Sequence, residues 1–382
     1  SFDLDSEDPS AYREIIPAKE NAVITGISSA PGRIVIEYLA NAYSSVEVFG
    51  LAGQHLMQVS LPDIGSASML TNPDSDIAWF RFESFADSES IYRVDLNDGF
   101  TMLWRRSEPP INTGDLVVNQ VFFTSQDGTQ IPMFLIHQRN IVMDEENPTV
   151  LYGYGGFDIS LTPNFIAGWM PWLARGGVYA VANLRGGGEF GADWHRAGML
   201  EKKQNVFDDF YAAAEWLFDN GYTRAERLGI RGGSNGGLLT GVAITQRPDL
   251  FSAAIVAVPL LDMLRYQHFL MARYWVPEYG SSEITEQFNY IRAYSPYHNI
   301  RSGVRYPATL LTAGENDTRV HPLHARKMAA ALQAATGSNS EEEPILLWVD
   351  RSAGHGQGKP LAQRVKETAD QIVFMAWQLG LR

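Results

Sequence analysis

The stretch that decides the fold is Gly232-Gly233-Ser234-Asn235-Gly236-Gly237. An apolar run suited to a buried strand, Arg227 to Ile230, precedes it, and Leu238 to Thr245 can form a helix after it. In such a nucleophile elbow, a strained backbone lifts the serine hydroxyl above the sheet, and flanking glycines let strand and helix approach closely. The stretch therefore predicts a serine hydrolase, although G-x-S-x-G also occurs in glycine-rich turns without catalysis.

A serine nucleophile needs a base, and that base needs an orienting acid. Asp317 follows one predicted strand, and His355 follows the next strand in a Gly-His-Gly sequence that permits a sharp loop. Each residue taken singly also fits an ordinary loop position. Ser, Asp and His in this chain order, each after a strand, is the α/β-hydrolase arrangement. We therefore expect Ser234 as nucleophile, His355 as base and Asp317 as orienting acid.

The oxyanion of an acyl-transfer intermediate needs two hydrogen-bond donors. The backbone N–H of the residue after the nucleophile, here Asn235, is expected to be one of them. Tyr152-Gly153-Tyr154-Gly155-Gly156-Phe157 follows the first strand of the same region, where this fold usually supplies the second donor. A tyrosine hydroxyl could serve there, and a packed aromatic loop is the alternative.

The region from about Asn112 onward alternates buried strand candidates with longer helical segments, which is typical of an α/β domain. The predicted strands are Thr149 to Tyr152, Val178 to Ala182, Ala254 to Val258, Ala308 to Thr312 and Ile345 to Val349. The predicted helices are Val206 to Phe218, Ala325 to Ala335 and Ala362 to Leu379.

The region from about Ala22 to Arg106 has short alternating or aromatic-rich runs separated by turn residues, which predicts an antiparallel meander. Asn97-Asp98-Gly99 between two such runs indicates a hairpin. A spacing of ~40–50 residues suits propeller blades. We expect a boundary near Pro109-Pro110, with an incomplete β-propeller of about two blades over residues 1–110 and an α/β-hydrolase domain over residues 111–382.

The composition limits the partners and the chemistry. The 382 residues are 45% hydrophobic and carry a net charge of −14, which argues against nucleic acid or anionic lipid as a partner. No apolar run approaches the ~20 residues of a membrane span. The chain has no cysteine, so disulfides, thiolate zinc sites and cysteine nucleophiles are excluded. The cytoplasm is the default compartment, and export is left open.

Four motifs resemble those of the prolyl oligopeptidase family. They are Tyr152 to Phe157, Asn183-Leu184-Arg185-Gly186-Gly187-Gly188-Glu189, Gly233 to Gly237, and Gly354-His355-Gly356. The resemblance extends from about Asn112 to the carboxyl terminus. It implies a serine endopeptidase that cleaves short proline-containing peptides after proline through an acyl-enzyme, without a metal or another cofactor.

The resemblance also implies roles for individual residues. The hydroxyl of Tyr154 and the N–H of Asn235 would form the oxyanion hole. Trp275 would stack on the substrate proline ring, because an indole face recognises this flat, apolar ring by contact area. The other implied substrate-binding residues are Tyr279, Phe157, Leu260 and Val320 around the ring, and Arg319 at a substrate carbonyl.

The length of the chain departs from the resemblance. The family has a seven-bladed propeller and an amino-terminal segment that joins the hydrolase domain, whereas this chain has room for about two blades. Two open blades would leave strand edges unpaired. We therefore expect a carboxyl-terminal portion of a larger protein, with the missing amino-terminal portion as its partner.

Other functions remain compatible with the same motifs. An aminopeptidase, a carboxylesterase or a peptide macrocyclase could use the same three residues. A non-catalytic scaffold is the alternative from a different class, although a scaffold requires neither Ser234 nor Tyr154.

Overall fold

The chain forms two compact units in the computed structural model, which describes residues 12–356 and 358–381. The first unit comprises Ser1–Thr113, Thr162–Phe165 and Glu189–Gly191. The second unit comprises Gly114–Leu161, Ile166–Gly188 and Ala192–Arg382. Each unit has a hydrophobic core of its own.

The first unit contains two four-stranded antiparallel sheets, and in each the strands pair in chain order. One sheet consists of β1 (Ala22–Ala30), β2 (Arg33–Ala40), β3 (Tyr43–Gly50) and β4 (His55–Val59). The other consists of β5 (Ser66–Asn72), β6 (Ser75–Glu83), β7 (Ser90–Asp95) and β8 (Thr101–Arg106). The predicted antiparallel meander is therefore confirmed.

The turn between β7 and β8 shows why this sequence forms hairpins. The N–H of Asn97 donates to the side chain of Asp95 over 3.0 Å, and Gly99 adopts a φ of 78°, which glycine tolerates without a steric penalty. Apolar residues that alternate along β6, such as Phe80 and Phe82, then point into the core of the unit.

The second unit is built on one eight-stranded sheet, with the order β16-β15-β14-β13-β11-β12-β10-β9. Its strands are β9 (Leu116–Thr124), β10 (Gln130–Gln138), β11 (Thr149–Gly153), β12 (Val178–Ala182), β13 (Leu228–Gly233), β14 (Ala253–Ala257), β15 (Ala308–Gly314) and β16 (Ile345–Asp350). The strands β11 to β16 pair in parallel, whereas β10 is antiparallel to both of its neighbours, β9 and β12.

Helices lie in the connections between these strands and after the last of them. They are α1 (Met170–Ala174), α2 (Ala192–Arg196), α3 (Gln204–Asp219), α4 (Asn235–Gln246), α5 (Val276–Tyr279), α6 (Thr285–Tyr294), α7 (Leu323–Ala335) and α8 (Leu361–Leu379). The predicted helices correspond to α3, α4, α7 and α8. Among the described residues, no helix combines the length and the apolar character that crossing a membrane requires.

The parallel strands end at one edge of the sheet, and this edge positions the candidate site. Every residue of β12 and β15 is buried, as expected for strands covered on both faces. In such sheets, ligands bind beyond the carboxyl ends of the strands. Tyr154, Ser234, Leu260, Asp317 and His355 follow β11, β13, β14, β15 and β16 respectively. This arrangement confirms the predicted α/β-hydrolase class.

Candidate active site

The elbow at Ser234 joins the end of β13 directly to the start of α4. Ser234 has φ 59° and ψ −116°, a region that residues other than glycine rarely adopt and that marks stored backbone strain. The strain is enforced by close packing, because a Cβ atom at Gly232 would lie 2.1 Å from the carbonyl oxygen of Gly236. The turn therefore requires glycine at position 232.

A continuous series of hydrogen bonds joins Ser234, His355 and Asp317. The Oγ atom of Ser234 lies 3.0 Å from Nε2 of His355, and Nδ1 of the same ring lies 2.6 Å from Oδ2 of Asp317. An ionised carboxylate can only accept, so Nδ1 donates to Asp317 and Nε2 accepts from the serine hydroxyl. The imidazole is thus held in the tautomer that can take a proton from Ser234.

Asp317 is fixed by its own loop. Its Oδ1 atom accepts the N–H groups of Arg319 and Val320, each over 2.8 Å. The side chain of Asp317 is 1% exposed, whereas that of His355 is 20% exposed. The carboxylate is therefore anchored inside the protein, and the imidazole lies at the surface where a substrate can reach it.

The two predicted oxyanion donors flank the serine. Asn235 is the first residue of α4, where backbone N–H groups have no partner within the helix. The loop of Tyr154 lies against the elbow, because Nδ2 of Asn235 donates to the carbonyl oxygen of Tyr154 over 2.6 Å. Burial raises the pKa of Tyr154 above its ordinary value. The tyrosine is therefore a neutral hydroxyl beside the nucleophile, in the form that can donate a hydrogen bond.

Three of the predicted substrate-binding residues form an aromatic group. The ring of Phe157 meets the rings of Trp275 and Tyr279 edge to face, with centroids 6.4 Å and 5.5 Å apart. The guanidinium of Arg319 lies 5.6 Å from the centroid of the Trp275 ring, within the range of a cation–π contact. Trp275, which is 7% exposed, keeps a small accessible surface.

Tyr279 of this aromatic group and two further predicted pocket residues, Leu260 and Val320, are more deeply buried than Trp275. Tyr279 is fully buried, and its hydroxyl donates to Oδ1 of Asn235 over 2.8 Å. Burial raises the pKa of Tyr279 well above its ordinary value. Leu260 and Val320 belong to the same buried hydrophobic core as Trp275 and Tyr279. A direct role of these three deeper residues in substrate binding stays a prediction.

The structure adds two residues that the sequence did not single out. Lys203 and Glu278 are buried beneath the loop that carries Tyr154, and the Lys203 Nζ atom lies 3.4 Å from Oε1 of Glu278. The only signal for Glu278 was its position between Trp275 and Tyr279, where an acidic residue is unexpected. Lys203 lies in the polar run Glu201 to Gln204, which resembles an ordinary solvated segment.

Metal chemistry has no evident ligand set here. Within residues 12–356 and 358–381, no group of three or more His, Asp or Glu side chains is arranged to hold a metal ion. The hydrogen-bonded series at Ser234 contains the parts that acyl transfer requires: a nucleophile, a base and an orienting carboxylate.

Comparisons with known proteins place this site in a family context. A model of the prolyl oligopeptidase family matches residues 164–382, and a model of the prolyl oligopeptidase N-terminal β-propeller domain matches residues 1–107. A prolyl endopeptidase from Elizabethkingia miricola is 36% identical over 376 residues, which cover 98% of this chain and 53% of that relative. The chain thus spans about half the length of the curated relatives it matches.

Solved structures agree with the sequence comparisons. One structure, from a study of two prolyl endopeptidases, is 45% identical with a TM-score of 0.93, and the match covers 100% of this chain and 56% of that one. Prolyl oligopeptidase B from Galerina marginata, bound to a 35mer hydrolysis and macrocyclization substrate, is 34% identical with a TM-score of 0.90, over 97% of this chain and 53% of that one. The chain belongs to the prolyl oligopeptidase family.

Proposed function

We propose that this protein is a serine endopeptidase that cleaves short peptides on the carboxyl side of proline. The observation that carries the proposal is the unbroken series of hydrogen bonds from Ser234 through His355 to Asp317, beside the aromatic group of Phe157, Trp275 and Tyr279. The relatives named as prolyl endopeptidases support the same activity. The chain spans about half of the length of these relatives. The endopeptidase activity is therefore proposed for the whole protein.

The proposed reaction is acyl transfer in two halves. The Oγ atom of Ser234 attacks the carbonyl carbon of the proline residue, and its proton passes to Nε2 of His355. The carboxylate of Asp317 stabilises the imidazolium that results. When the tetrahedral intermediate collapses, His355 returns the proton to the leaving amine. Water then attacks the acyl-enzyme by the same route, and Ser234 regains its proton.

Charge on the intermediate is stabilised by two donors in this proposal. The hydroxyl of Tyr154 and the backbone N–H of Asn235 bind the oxyanion, which carries more charge than the carbonyl oxygen of the substrate. These donors therefore act mainly in the transition state, and each lowers the barrier more than it tightens substrate binding.

Specificity for proline follows from the apolar surroundings of the site. A prolyl residue is flat and has no N–H, so a pocket recognises it by contact area. The indole of Trp275 supplies a face for the ring, Phe157 supplies an edge, and Tyr279, Leu260 and Val320 complete the wall. In this proposal, Arg319 donates to a backbone carbonyl of the substrate.

The domain boundaries and the compartment are part of the proposal. We assign residues 1–110 to a partial β-propeller and residues 111–382 to the peptidase domain, and the two antiparallel sheets followed by one largely parallel sheet support this division. We assign the protein to the cytoplasm as the default compartment, with export as the alternative. Cell fractionation with a specific antibody tests the compartment.

Labelling with a fluorophosphonate probe tests the nucleophile. The probe reacts with an activated serine, so we expect stoichiometric labelling of the wild-type protein and none of Ser234→Ala. Absence of labelling in well-folded wild-type protein would instead favour a non-catalytic scaffold.

A peptide panel tests the specificity. Peptides with blocked amino termini and proline, alanine or arginine at the cleaved position separate a post-proline endopeptidase from an aminopeptidase and from relatives with another specificity. We expect cleavage after proline to dominate. Mass spectrometry of the products distinguishes hydrolysis from macrocyclisation, the second reaction named for the Galerina marginata relative.

A further inference from the structure

A buried carboxylate connects several segments beneath the candidate site. The side chain of Glu278 is 5% exposed, and three groups donate to it. Its Oε1 atom accepts the backbone N–H of Phe157 over 3.1 Å and the ammonium of Lys203 over 3.4 Å, and its Oε2 atom lies 2.8 Å from Nε2 of His195. A buried carboxylate with this many donors is fully satisfied and holds its partners in fixed positions.

Lys203 connects the same carboxylate to the loop that carries Tyr154. Its side chain is 1% exposed, and Nζ donates to the carbonyl oxygen of Gly155 over 2.8 Å. Burial lowers the pKa of Lys203, and the charge of Glu278 opposes that shift. Removal of the carboxylate charge would leave the ammonium buried without a counter-ion, and a buried charge that has lost its partner is strongly destabilising.

The loop itself needs an external restraint. Phe157 and Asp158 have φ values of 60° and 58°, a conformation that costs free energy at residues other than glycine. The N–H of Phe157 is held by Glu278, and the neighbouring Gly155 carbonyl is held by Lys203. The pair of Glu278 and Lys203 therefore binds the turn after Tyr154 at two points, the N–H of Phe157 and the carbonyl oxygen of Gly155.

We propose that Glu278 is a positioning residue that couples the proline pocket to the oxyanion hole. Glu278 lies on α5 beside Trp275 and Tyr279, and through Phe157 and Lys203 it holds the loop of Tyr154. It touches neither the substrate nor the reacting atoms. It acts by holding the loop that carries the Tyr154 hydroxyl in a fixed position relative to α5. This inference rests on the proposed function.

The first test is Glu278→Gln in the intact protein, with a matched control. Glutamine keeps the shape and one acceptor but removes the charge that neutralises Lys203. We expect kcat for a blocked proline substrate to fall by about 10- to 100-fold, because a displacement of ~1 Å at a catalytic donor has effects of that size, with KM changed by less than about threefold. Glu343→Gln, which removes the same charge from the surface pair with Arg305, is the control and should leave kcat unchanged.

A double-mutant cycle with Tyr154→Phe separates positioning from general destabilisation. If Glu278 acts through the Tyr154 hydroxyl, adding Glu278→Gln to Tyr154→Phe should lower kcat by less than about threefold, because coupled residues are not additive. Full additivity, or an unchanged kcat in the single variant, overturns the inference.

A second variant covers the case in which Glu278→Gln does not fold. His195→Ala removes one donor from Glu278 at a position that is 23% exposed. We expect His195→Ala to lower kcat by about threefold in the wild-type background and to have no effect on kcat in the Tyr154→Phe background. Additive effects of the two changes overturn the inference.

Wild-type protein that neither reacts with the fluorophosphonate nor cleaves after proline would contradict the proposed function, whereas an active wild type with additive variants would contradict only the role of Glu278.

Discussion

The two sides of the candidate site are held in place by different means. On the nucleophile side, Ser234 lies in a turn packed between β13 and α4, and its N–H donates to the carbonyl of Ala257 over 2.9 Å. On the base side, His355 lies in a loop where a Cβ atom at Gly356, which has a φ of 113°, would have no described atom within 4 Å. Packing fixes the serine, whereas the bond to Asp317 is the main restraint on the imidazole.

This difference teaches how each side should respond to mutation. A change on the elbow side disturbs close-packed backbone, so its effect should appear in the free energy of unfolding. A change on the base side disturbs a hydrogen bond and a tautomer, so its effect should appear in kcat while the fold persists.

The largest effect is expected on the base side, from Asp317→Asn. The asparagine amide would donate to Nδ1 of His355 and move the ring proton to Nε2, which could then no longer accept from Ser234. We expect kcat to fall by about 10⁴-fold, as in other serine peptidases with this change, while urea denaturation gives nearly wild-type stability. Steady-state kinetics with a blocked proline substrate measures the loss. A decrease in kcat of less than tenfold would contradict the statement that the hydrogen bond to Asp317 is the main restraint on the imidazole.

The next effect is expected from Tyr154→Phe, which removes one donor from the proposed oxyanion hole. We expect kcat to fall by about 10²- to 10³-fold with little change in KM, because the hydroxyl acts on charge that develops in the transition state. Phe157→Leu is a useful control, since it alters the pocket and should change KM more than kcat. An unchanged kcat in Tyr154→Phe would show that the hydroxyl does not stabilise the oxyanion.

The elbow can be tested with two neighbouring glycines. A Cβ atom at Gly232 would lie 2.1 Å from the carbonyl oxygen of Gly236, whereas at Gly233 the nearest such contact is 3.8 Å, to Cβ of Ala257. We expect Gly232→Ala to lower the free energy of unfolding by about 3 kcal/mol and Gly233→Ala by about 1 kcal/mol or less. Urea denaturation measures both, and equal losses would argue against close packing as the restraint on Ser234.

The smallest effect concerns pH and the loop after β14, which packs against the elbow. Nδ1 of His324 accepts hydrogen bonds from the N–H groups of Leu261 and Asp262 over 3.2 Å and 3.1 Å. This nitrogen therefore carries no proton, and the imidazole is neutral. Burial lowers the pKa of His324 from 6.5 to about 4. Between these values the unfolded chain binds more protons, so the stability contributed by His324 is complete above about pH 6.5 and is lost as the pH falls toward 4.

The size of this pH effect can be measured against His324→Gln. The folded and unfolded pKa values correspond to a loss of about 2 kcal/mol between pH 7 and pH 5. We expect the difference in unfolding free energy between wild type and variant to shrink by that amount over the same range. Parallel pH profiles for the two proteins would show that His324 is not the titrating group.

The sequence predicted most of the second unit but not its antiparallel edge. The strands β11 to β16 and the helices α3, α4, α7 and α8 were found within a few residues, because buried parallel strands are continuous apolar runs and the helices have apolar faces. The strands β9 and β10 and the helices α1, α2, α5 and α6 were not found. Seven consecutive residues of β10 are buried on both faces, so alternation, the usual mark of an antiparallel strand, is absent.

The sequence by itself determined the chemistry of the candidate site, because a serine between glycines and an aspartate and a histidine after later strands can be identified from local order alone. Only the tertiary structure decided how that chemistry is supported. The contacts of Glu278 with Phe157, Lys203 and His195 join segments up to 121 residues apart. Such contacts depend on how loops pack against one another, and no local pattern in a sequence encodes that packing.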